Sequence, residues 1–192
     1  MVKVKVIAAV RDSEQLLLAA KSEADMIFML TPNITKLKSH IEIAHSAGKK
    51  LFVHIDLAEG IGKDEYGIRF VSDLGVDGII STRTNMIKIA KKLGMYTVQR
   101  FFIVDSHSVD TTIESAKTSK ADMIEIMPGT VTKVIARLKM QIDIPIIAGG
   151  LIESAKEIDE AMLHGASGVS TGKQKLWERK RRIEYVKGEE TI

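Results

Sequence analysis

The chain is 192 residues long and carries a formal net charge of +3, with 45% hydrophobic and 28% charged residues. These values are ordinary for a globular protein of one domain with a real core. The chain contains no cysteine, which excludes disulfides and thiolate chemistry and gives no argument for an oxidising compartment. The N-terminal stretch MVKVKVIAAVRD holds an apolar run too short to cross a membrane and predicts a strand. We therefore expect one cytoplasmic domain over residues 1–192 with no membrane partner.

Eight short apolar runs follow one another along the chain, and each is typical of a buried strand. Successive runs are about twenty to twenty-five residues apart, which is close to the minimum for a strand, a loop and a helix. The runs lie at 4–10, 26–30, 51–57, 78–80, 96–104, 123–127, 145–150 and 168–171.

Amphipathic segments between these runs predict helices. The segments 34–48, 84–94 and 154–165 each place apolar residues at helical spacing and end at a glycine that can cap a helix. In the last of them, Ser154 stands three residues before Glu157, which is the spacing of a capping box.

Strands that are almost wholly apolar and alternate with helices indicate a parallel sheet covered by helices. Eight such units predict a small, closed (β/α)8 barrel, an α/β fold with short loops. An open, doubly wound sheet is the alternative, because it is built from the same units.

The ends of the last two predicted strands carry a pattern suited to an anion. Sites in barrels of this class lie at the carboxyl ends of the strands, and a phosphate often binds to the loops after strands 7 and 8. Strand 7 ends at Gly149 and Gly150, and strand 8 ends at Ser170, Thr171 and Gly172. Glycine allows the backbone to approach an anion closely. The sequence therefore predicts a phosphate site here, and the alternative is that these glycines only make tight turns.

His54 and Asp56 stand two residues apart in the third predicted strand, so they are expected to share a face. They could bind hydroxyl groups of a ligand, or form a general base held by a carboxylate. Alternatively, His54 is a core histidine with its hydrogen bonds satisfied, or Asp56 alone reaches the ligand. A metal site is not expected, because the other histidines lack ligand spacing and there is no HExxH motif.

Arg100 and Glu125 are charged residues inside apolar strands 5 and 6. A buried charge is costly unless it has a partner or a ligand. The two residues could pair across the adjacent strands, or Arg100 could bind an anionic or hydroxylated ligand while Glu125 accepts from it. Arg11, at the end of strand 1, has the same alternatives with Asp12 and Asp56 as the carboxylates.

Longer motifs resemble the glycerol uptake operon antiterminator family. The resemblance extends over roughly residues 5 to 180 and rests on VIAAVRD, GKKLFVHIDLAEGIGKDEYGIRF, DGIISTR, TVQRFFIVDS, IEIMPG, PIIAGGLI and GVSTGKQKLW. It implies a (β/α)8 barrel that binds glycerol 3-phosphate as its effector and acts on the leader of messenger RNA. Family members are regulators and not established enzymes, so the resemblance implies no catalytic residue and no cofactor. A three-carbon polyol phosphate would place its phosphate at Gly150 and 170–172, with its hydroxyls near Asp56, Glu125 and Arg100.

The segment after strand 8 is strongly basic, with seven Lys or Arg against two Glu between Lys173 and Lys187. It predicts a helix over about 173–187 whose charged face contacts RNA phosphates, with Trp177 free to stack on a base. The candidate RNA-binding residues are Lys173, Lys175, Arg179, Lys180, Arg181 and Arg182. The alternative is a solvated face, with Trp177 sharing the docking side of the helix.

Two other functional classes remain open from the sequence. One is a phosphate-dependent barrel isomerase or lyase acting on a three-carbon phosphate, with His54 as base. A Schiff-base version is disfavoured, because Lys3 and Lys5 are the only lysines in predicted strands and lie at the wrong end of the barrel. The other is a degenerate barrel that binds a phosphate metabolite and a protein partner. The sequence leaves the oligomeric state, including a homo-oligomer, undecided.

Overall fold

A computed structural model describes residues 5–178, in which strands and helices alternate along the chain. The strands are β1 (Lys5–Val10), β2 (Met26–Met29), β3 (Lys50–His54), β4 (Gly78–Ser81), β5 (Tyr96–Phe102), β6 (Met123–Met127), β7 (Ile146–Gly149) and β8 (Gly168–Thr171). The α-helices are α1 (Ser13–Lys21), α2 (Leu37–Ser46), α3 (Glu65–Asp73), α4 (Thr84–Lys92), α5 (Ser106–Ser119), α6 (Thr132–Lys139) and α7 (Ala155–Leu163).

The strands are parallel and close into a barrel in chain order, because β8 pairs with β1. In that last pairing Thr171 lies opposite Ala8. The predicted (β/α)8 barrel is thereby confirmed. The open, doubly wound alternative is excluded, since an open sheet would leave its two outermost strands with unpaired edges.

Side chains from the preceding loops cap the first turns of several helices. Asp12, Asp64 and Asp105 each accept a hydrogen bond from a backbone N–H in the first turn of the helix that follows. Ser154 and Glu157 form the predicted capping box at α7. These caps satisfy orphan N–H groups, so each helix begins at a defined residue beside the mouth of the barrel.

The interior of the barrel is apolar toward the amino ends of the strands and polar toward their carboxyl ends. The apolar layer consists of Ile7, Phe28, Phe52, Ile80, Val98 and Ile147. Side chains two residues apart on a strand share a face. Residues two positions beyond the apolar layer therefore face the same lumen nearer the mouth, as Arg100 does beyond Val98.

The third strand ends earlier than its apolar run predicts. The chain leaves β3 at His54 and turns into a short 3-10 helix at Ile55–Leu57. Asp56 therefore does not share a strand face with His54, and that prediction is wrong. β3 also begins at Lys50, a strand lysine that the sequence did not predict and that lies, like Lys5 in β1, at the amino end of its strand. Lys3 lies outside the described residues.

The chain after β8 does not begin an α-helix as predicted. It forms a 3-10 helix at Gln174–Leu176, and Trp177 is the C-cap of that helix. The remainder of the predicted helix, residues 179–187, lies outside the described residues.

Candidate functional site

A cavity of about 230 Å³ opens at the carboxyl ends of the strands, on the side of the mouth formed by β1 and β5–β8. Seven of the ten predicted ligand-binding residues line it: Arg11, Arg100, Glu125, Gly150, Ser170, Thr171 and Gly172. We refer to it as the mouth cavity. An eighth, Gly149, lies against it, because a Cβ at Gly149 would collide with the side chains of Glu125 and Ser170.

A buried ion pair forms one wall of the mouth cavity. Arg100 and Glu125 lie opposite each other in the register of β5 and β6, and Arg100 Nε donates to Glu125 Oε2 at 2.7 Å. The other carboxylate oxygen, Oε1, accepts from Ser170 Oγ at 2.6 Å. The pairing alternative for Arg100 and Glu125 is therefore confirmed.

The pair does not exhaust the donors of Arg100. The guanidinium carries five N–H groups, and within residues 5–178 only its Nε has a protein partner. Arg100 also lines the cavity. The pair therefore fixes the arginine while leaving its terminal nitrogens for a ligand, so the two alternatives drawn from the sequence are compatible.

The loops after β7 and β8 offer backbone donors. In the described part of the chain, no hydrogen bond uses the N–H of Gly150, Leu151 or Gly172, and all three residues line the cavity. Gly150 and Leu151 both have positive φ, 72° and 57°, which turns the chain sharply after β7. Gly172 has no such requirement, since a Cβ there would meet only Ala9 O at 3.6 Å. Free N–H groups on consecutive residues make a concavity suited to an anion.

Arg11 supplies a second cation at the same rim. Its backbone is held by two neighbours, since its N–H donates to Gln15 Oε1 at 2.9 Å and its carbonyl accepts from Thr31 Oγ1 at 2.5 Å. Among residues 5–178 its guanidinium has no carboxylate partner. Pairing with Asp12 or Asp56, the alternative for Arg11, does not occur, because Asp12 caps α1 and Asp56 is bound elsewhere.

His54 does not line the mouth cavity, although it lies at the carboxyl end of β3. It is 3% exposed, and its Nδ1 has no hydrogen-bond partner among the described residues. Burial, and then the positive charge of Arg100, lower the pKa of His54 to about 4. The imidazole is therefore neutral at physiological pH. The alternative of a satisfied core histidine is therefore confirmed for burial and wrong for hydrogen bonding, because Nδ1 has no partner among the described residues.

Asp56 also lies outside the mouth cavity, and its carboxylate is occupied by the next strand end. It accepts from Ser81 Oγ at 2.8 Å, from the Thr82 backbone N–H at 2.7 Å and from Thr82 Oγ1 at 2.9 Å. Burial alone would raise the pKa of Asp56, but these hydrogen bonds outweigh it and hold the pKa below its ordinary value. The carboxylate thus ties β3 to β4.

In the described part of the basic segment, one lysine is paired with a carboxylate and the tryptophan is buried, unlike the prediction. Lys173 pairs with Glu153 at 3.0 Å, whereas Lys175 is exposed. Trp177 is only 2% exposed, and its Nε1 donates to the Thr171 carbonyl at 2.8 Å. The prediction that Trp177 is free to stack on a base is wrong, because the indole anchors the segment to the end of β8. Arg179, Lys180, Arg181 and Arg182 lie outside the described residues.

Sequence reasoning missed part of the cavity wall: Ala9, Gln15, Leu30, Met127, Leu151 and Ile152. For Ala9 and Met127 a signal was available, because they stand two residues beyond Ile7 and Glu125 on the same strands and so share their inward face. Leu151 gave no such signal, since its role comes from a backbone conformation that leucine seldom adopts.

Residues 5–178 contain neither a cluster of metal ligands nor a membrane-spanning helix. No group of three or more His, Asp or Glu side chains is placed to hold a metal ion. No helix there is long and apolar enough to cross a membrane.

Comparison with protein families gives one match over nearly the whole described chain. The model of the family described as glycerol-3-phosphate responsive antiterminator matches residues 6–177. Among curated proteins, the uncharacterized protein YgcP of Escherichia coli (strain K12) is 38% identical over 173 residues, which cover 90% of this chain and 91% of YgcP.

Two solved structures are similar in both sequence and fold. A glycerol uptake operon antiterminator regulatory protein from Listeria monocytogenes superimposes with a TM-score of 0.86 at 32% identity, covering 91% of this chain and 95% of that chain. A glycerol uptake operon antiterminator-related protein from Thermotoga maritima gives a TM-score of 0.82 at 36% identity, covering 92% of this chain and 99% of that chain. Aldolases such as a deoxyribose phosphate aldolase from Aeropyrum pernix, with a TM-score of 0.71 at 15% identity, share the fold alone.

Proposed function

This chain belongs to the glycerol-3-phosphate responsive antiterminator family, and we propose that it binds glycerol 3-phosphate in the mouth cavity and acts on messenger RNA leaders. Its role would be to regulate genes of glycerol uptake and metabolism in the cytoplasm. The observation that carries the ligand half of the proposal is the mouth cavity itself. It combines free backbone N–H groups with a fixed ion pair whose arginine keeps unused donors.

The size of the cavity suits a small metabolite. Its volume of about 230 Å³ lies below the range of about 300–1,000 Å³ that is usual for drug-sized ligands. The phosphate would accept from the N–H groups of Gly150, Leu151 and Gly172, with Arg11 as the counter-charge. The hydroxyl groups would meet Arg100 and Glu125, whose opposite characters can serve a donor and an acceptor on adjacent carbons.

This pose differs from the sequence-based one in two respects. Ser170 serves the site through Glu125, because its hydroxyl donates to that carboxylate. Asp56 has no part in it, because its carboxylate already accepts three hydrogen bonds from Ser81 and Thr82.

The second half of the proposal is RNA binding. Two observations favour RNA binding: the chain belongs to the family, and a basic segment follows β8. Within the described part of that segment, Lys173 pairs with Glu153, whereas Lys175 is exposed and has no carboxylate partner. Electrostatic contacts of this kind bind phosphates irrespective of base sequence, so RNA affinity should fall steeply as salt is raised. If ligand and RNA favour the same state of the protein, each should tighten the other by the same factor.

A catalytic role is not proposed. The enzyme alternative relied on His54 as a base oriented by Asp56. Within residues 5–178 no hydrogen bond joins these two side chains, since Asp56 is bound to Ser81 and Thr82. Incubation with three-carbon phosphates should therefore give no turnover above background, and measurable turnover would contradict the regulatory proposal.

Calorimetric titration tests the ligand. Glycerol 3-phosphate should bind with saturation, whereas glycerol and inorganic phosphate, each holding only part of the pattern, should bind more weakly. Ser170→Ala removes one of the two donors that fix Glu125 and should weaken binding about tenfold. Ser167→Ala, an exposed change at the other end of β8, is the matched control and should leave affinity unchanged. Equal affinity in both variants, or no binding of glycerol 3-phosphate at all, would overturn the proposed site.

A further inference from the structure

A second polar cavity lies beside the mouth cavity, over the ends of β1, β2 and β3. Its volume is about 230 Å³, and Arg11 lines both cavities. None of the other residues of the second cavity belongs to the mouth cavity. The two are therefore distinct in composition but share one cation.

Two cations line the second cavity without a carboxylate partner. Among residues 5–178, neither the Arg11 guanidinium nor the Lys36 ammonium forms an ion pair. Both are exposed on the rim and therefore keep their donors for an anion from solution. Arginine and lysine are the residues that most often bind phosphate groups.

The amino-terminal ends of two helices meet at the same place. Helix α1 begins at Ser13 and α2 follows Lys36, and both of these residues line the cavity. The start of α2 has no capping side chain and no acidic residue in its first turn. The N–H groups of residues 37–39 consequently lack an intrahelical partner, whereas that of His40 donates to the Lys36 carbonyl. The positive end of the helix dipole is therefore not compensated. Helix starts in this condition favour anions.

A buried histidine provides an independent sign of a ligand. His40 lines the cavity and is 3% exposed; its Nε2 lies 2.9 Å from Ser13 Oγ, and its Nδ1 has no partner within the described residues. Burial, and then the charge of Lys36, lower the pKa of His40. A neutral imidazole has one donor and one acceptor nitrogen, so the buried Nδ1 still needs a polar partner that residues 5–178 do not supply, and a ligand in this cavity can provide it.

Two carboxylates also line the cavity, and each is already engaged. Asp12 Oδ1 accepts from the Gln15 N–H at 2.8 Å, and Glu59 Oε2 accepts from Asn33 Nδ2 at 2.8 Å. Neither forms an ion pair with Arg11 or Lys36. Their charge offsets that of the two cations, so affinity for an anion must come from the helix starts and direct hydrogen bonds.

We propose that this second cavity binds a phosphate group, held by Lys36, Arg11 and the first N–H groups of α2. The phosphate belongs either to a small phosphorylated molecule or to the phosphodiester backbone of a nucleic acid. The site shares Arg11 with the mouth cavity, but its other residues are distinct, and it does not depend on the identity of the ligand bound there.

The test uses the full chain and follows backbone amide shifts by NMR during titration with inorganic phosphate, with ionic strength held constant by chloride. The amides of Ser13, Glu14 and residues 37–39 should shift with saturation. Lys36→Gln should weaken the phosphate affinity read from these amides about tenfold, because it removes a charge-assisted hydrogen bond. Lys38→Gln removes the same charge from the same turn of α2 without touching the cavity, and should change affinity less than about twofold.

A second titration identifies the source of the phosphate. An RNA oligonucleotide without terminal phosphates should shift the same amides if the occupant is a phosphodiester, and Lys36→Gln should then lower the salt slope by about one. Shifts with inorganic phosphate but not with this oligonucleotide support the site with a small molecule as its occupant. No shift with either probe, or equal weakening by Lys36→Gln and Lys38→Gln, would overturn the proposal.

The mouth cavity has its own reporters in the same spectra, the amides of Gly150, Leu151 and Gly172. If glycerol 3-phosphate fails to shift these three, the proposed function loses its ligand while the second cavity is unaffected. The two proposals can therefore fail separately.

Discussion

The two halves of the barrel mouth use their carboxylates in opposite ways. On the β5–β8 side, Glu125 holds Arg100 and Ser170 at the wall of an open cavity. On the β3–β4 side, Asp56 is saturated by Ser81 and Thr82 and lines none of the described cavities. In the sequence, Glu125 stands inside the sixth apolar run and Asp56 near the end of the third.

The difference lies in what surrounds each carboxylate. Glu125 is reached by side chains from two other strands, and its arginine partner keeps donors that the protein does not use. Asp56 is reached by one neighbouring strand end, and one of its three donors is a backbone N–H. A carboxylate at the barrel mouth is therefore a better candidate for a ligand site when its partners leave hydrogen-bonding capacity unused.

The strongest way to break this comparison is to remove Glu125. Glu125→Ala leaves the Arg100 guanidinium buried without a counter-charge, and we expect a loss of about 3–5 kcal/mol in the free energy of unfolding. Urea denaturation with a constant m-value measures the loss. Asp110→Ala, which breaks the exposed Arg137–Asp110 pair, is the matched control and should cost less than about 1 kcal/mol. Similar losses in both variants would show that the pair at the mouth is not desolvated as the structure indicates.

On the β3 side, His54 gives stability a pH dependence. Its pKa is lowered from 6.5 to about 4, so between these values the unfolded chain binds a proton that the folded chain does not. Stability should therefore fall as pH drops from 6.5 toward 4, by roughly 3 kcal/mol in all.

Denaturant midpoints for the wild type and His54→Gln across this range isolate the contribution of His54, because His40 and the carboxylates titrate in both proteins. The difference in stability between the two proteins should be constant above pH 7 and should shrink or reverse as pH falls to 4. Parallel curves over the whole range would mean that His54 is not buried in its neutral form.

Asp56→Asn sharpens the comparison with the smallest expected effect. An amide keeps one acceptor oxygen but cannot accept from Ser81 and Thr82 on both sides, so we expect a loss of about 1–3 kcal/mol in the free energy of unfolding. Affinity for glycerol 3-phosphate should change less than about twofold, because Asp56 lies outside the mouth cavity. A tenfold loss of affinity in calorimetric titration, without loss of stability, would return Asp56 to the ligand site.

The candidate site could be predicted in its chemistry but only partly in its membership. The inward face of Arg100 and Glu125 follows from period-two alternation, and their pairing follows from adjacent strands. The exclusion of Asp56 could not be read from the sequence, because the apolar run 51–57 continues past the point where β3 ends at His54. The burial of Trp177 was equally hidden, since a tryptophan in a basic segment is compatible with docking and with exposure alike.

The sequence by itself determined the fold class, because eight apolar runs separated by amphipathic segments can bury their faces only as a helix-covered parallel sheet. It also predicted that the loops after β7 and β8 are suited to an anion, since glycine and small polar residues are local features of the chain. Only the tertiary structure decided which polar groups were already satisfied and which were left open. Hydrogen-bond partners such as Ser170 for Glu125, 45 residues apart, are brought together by closure of the barrel, and no local pattern records them.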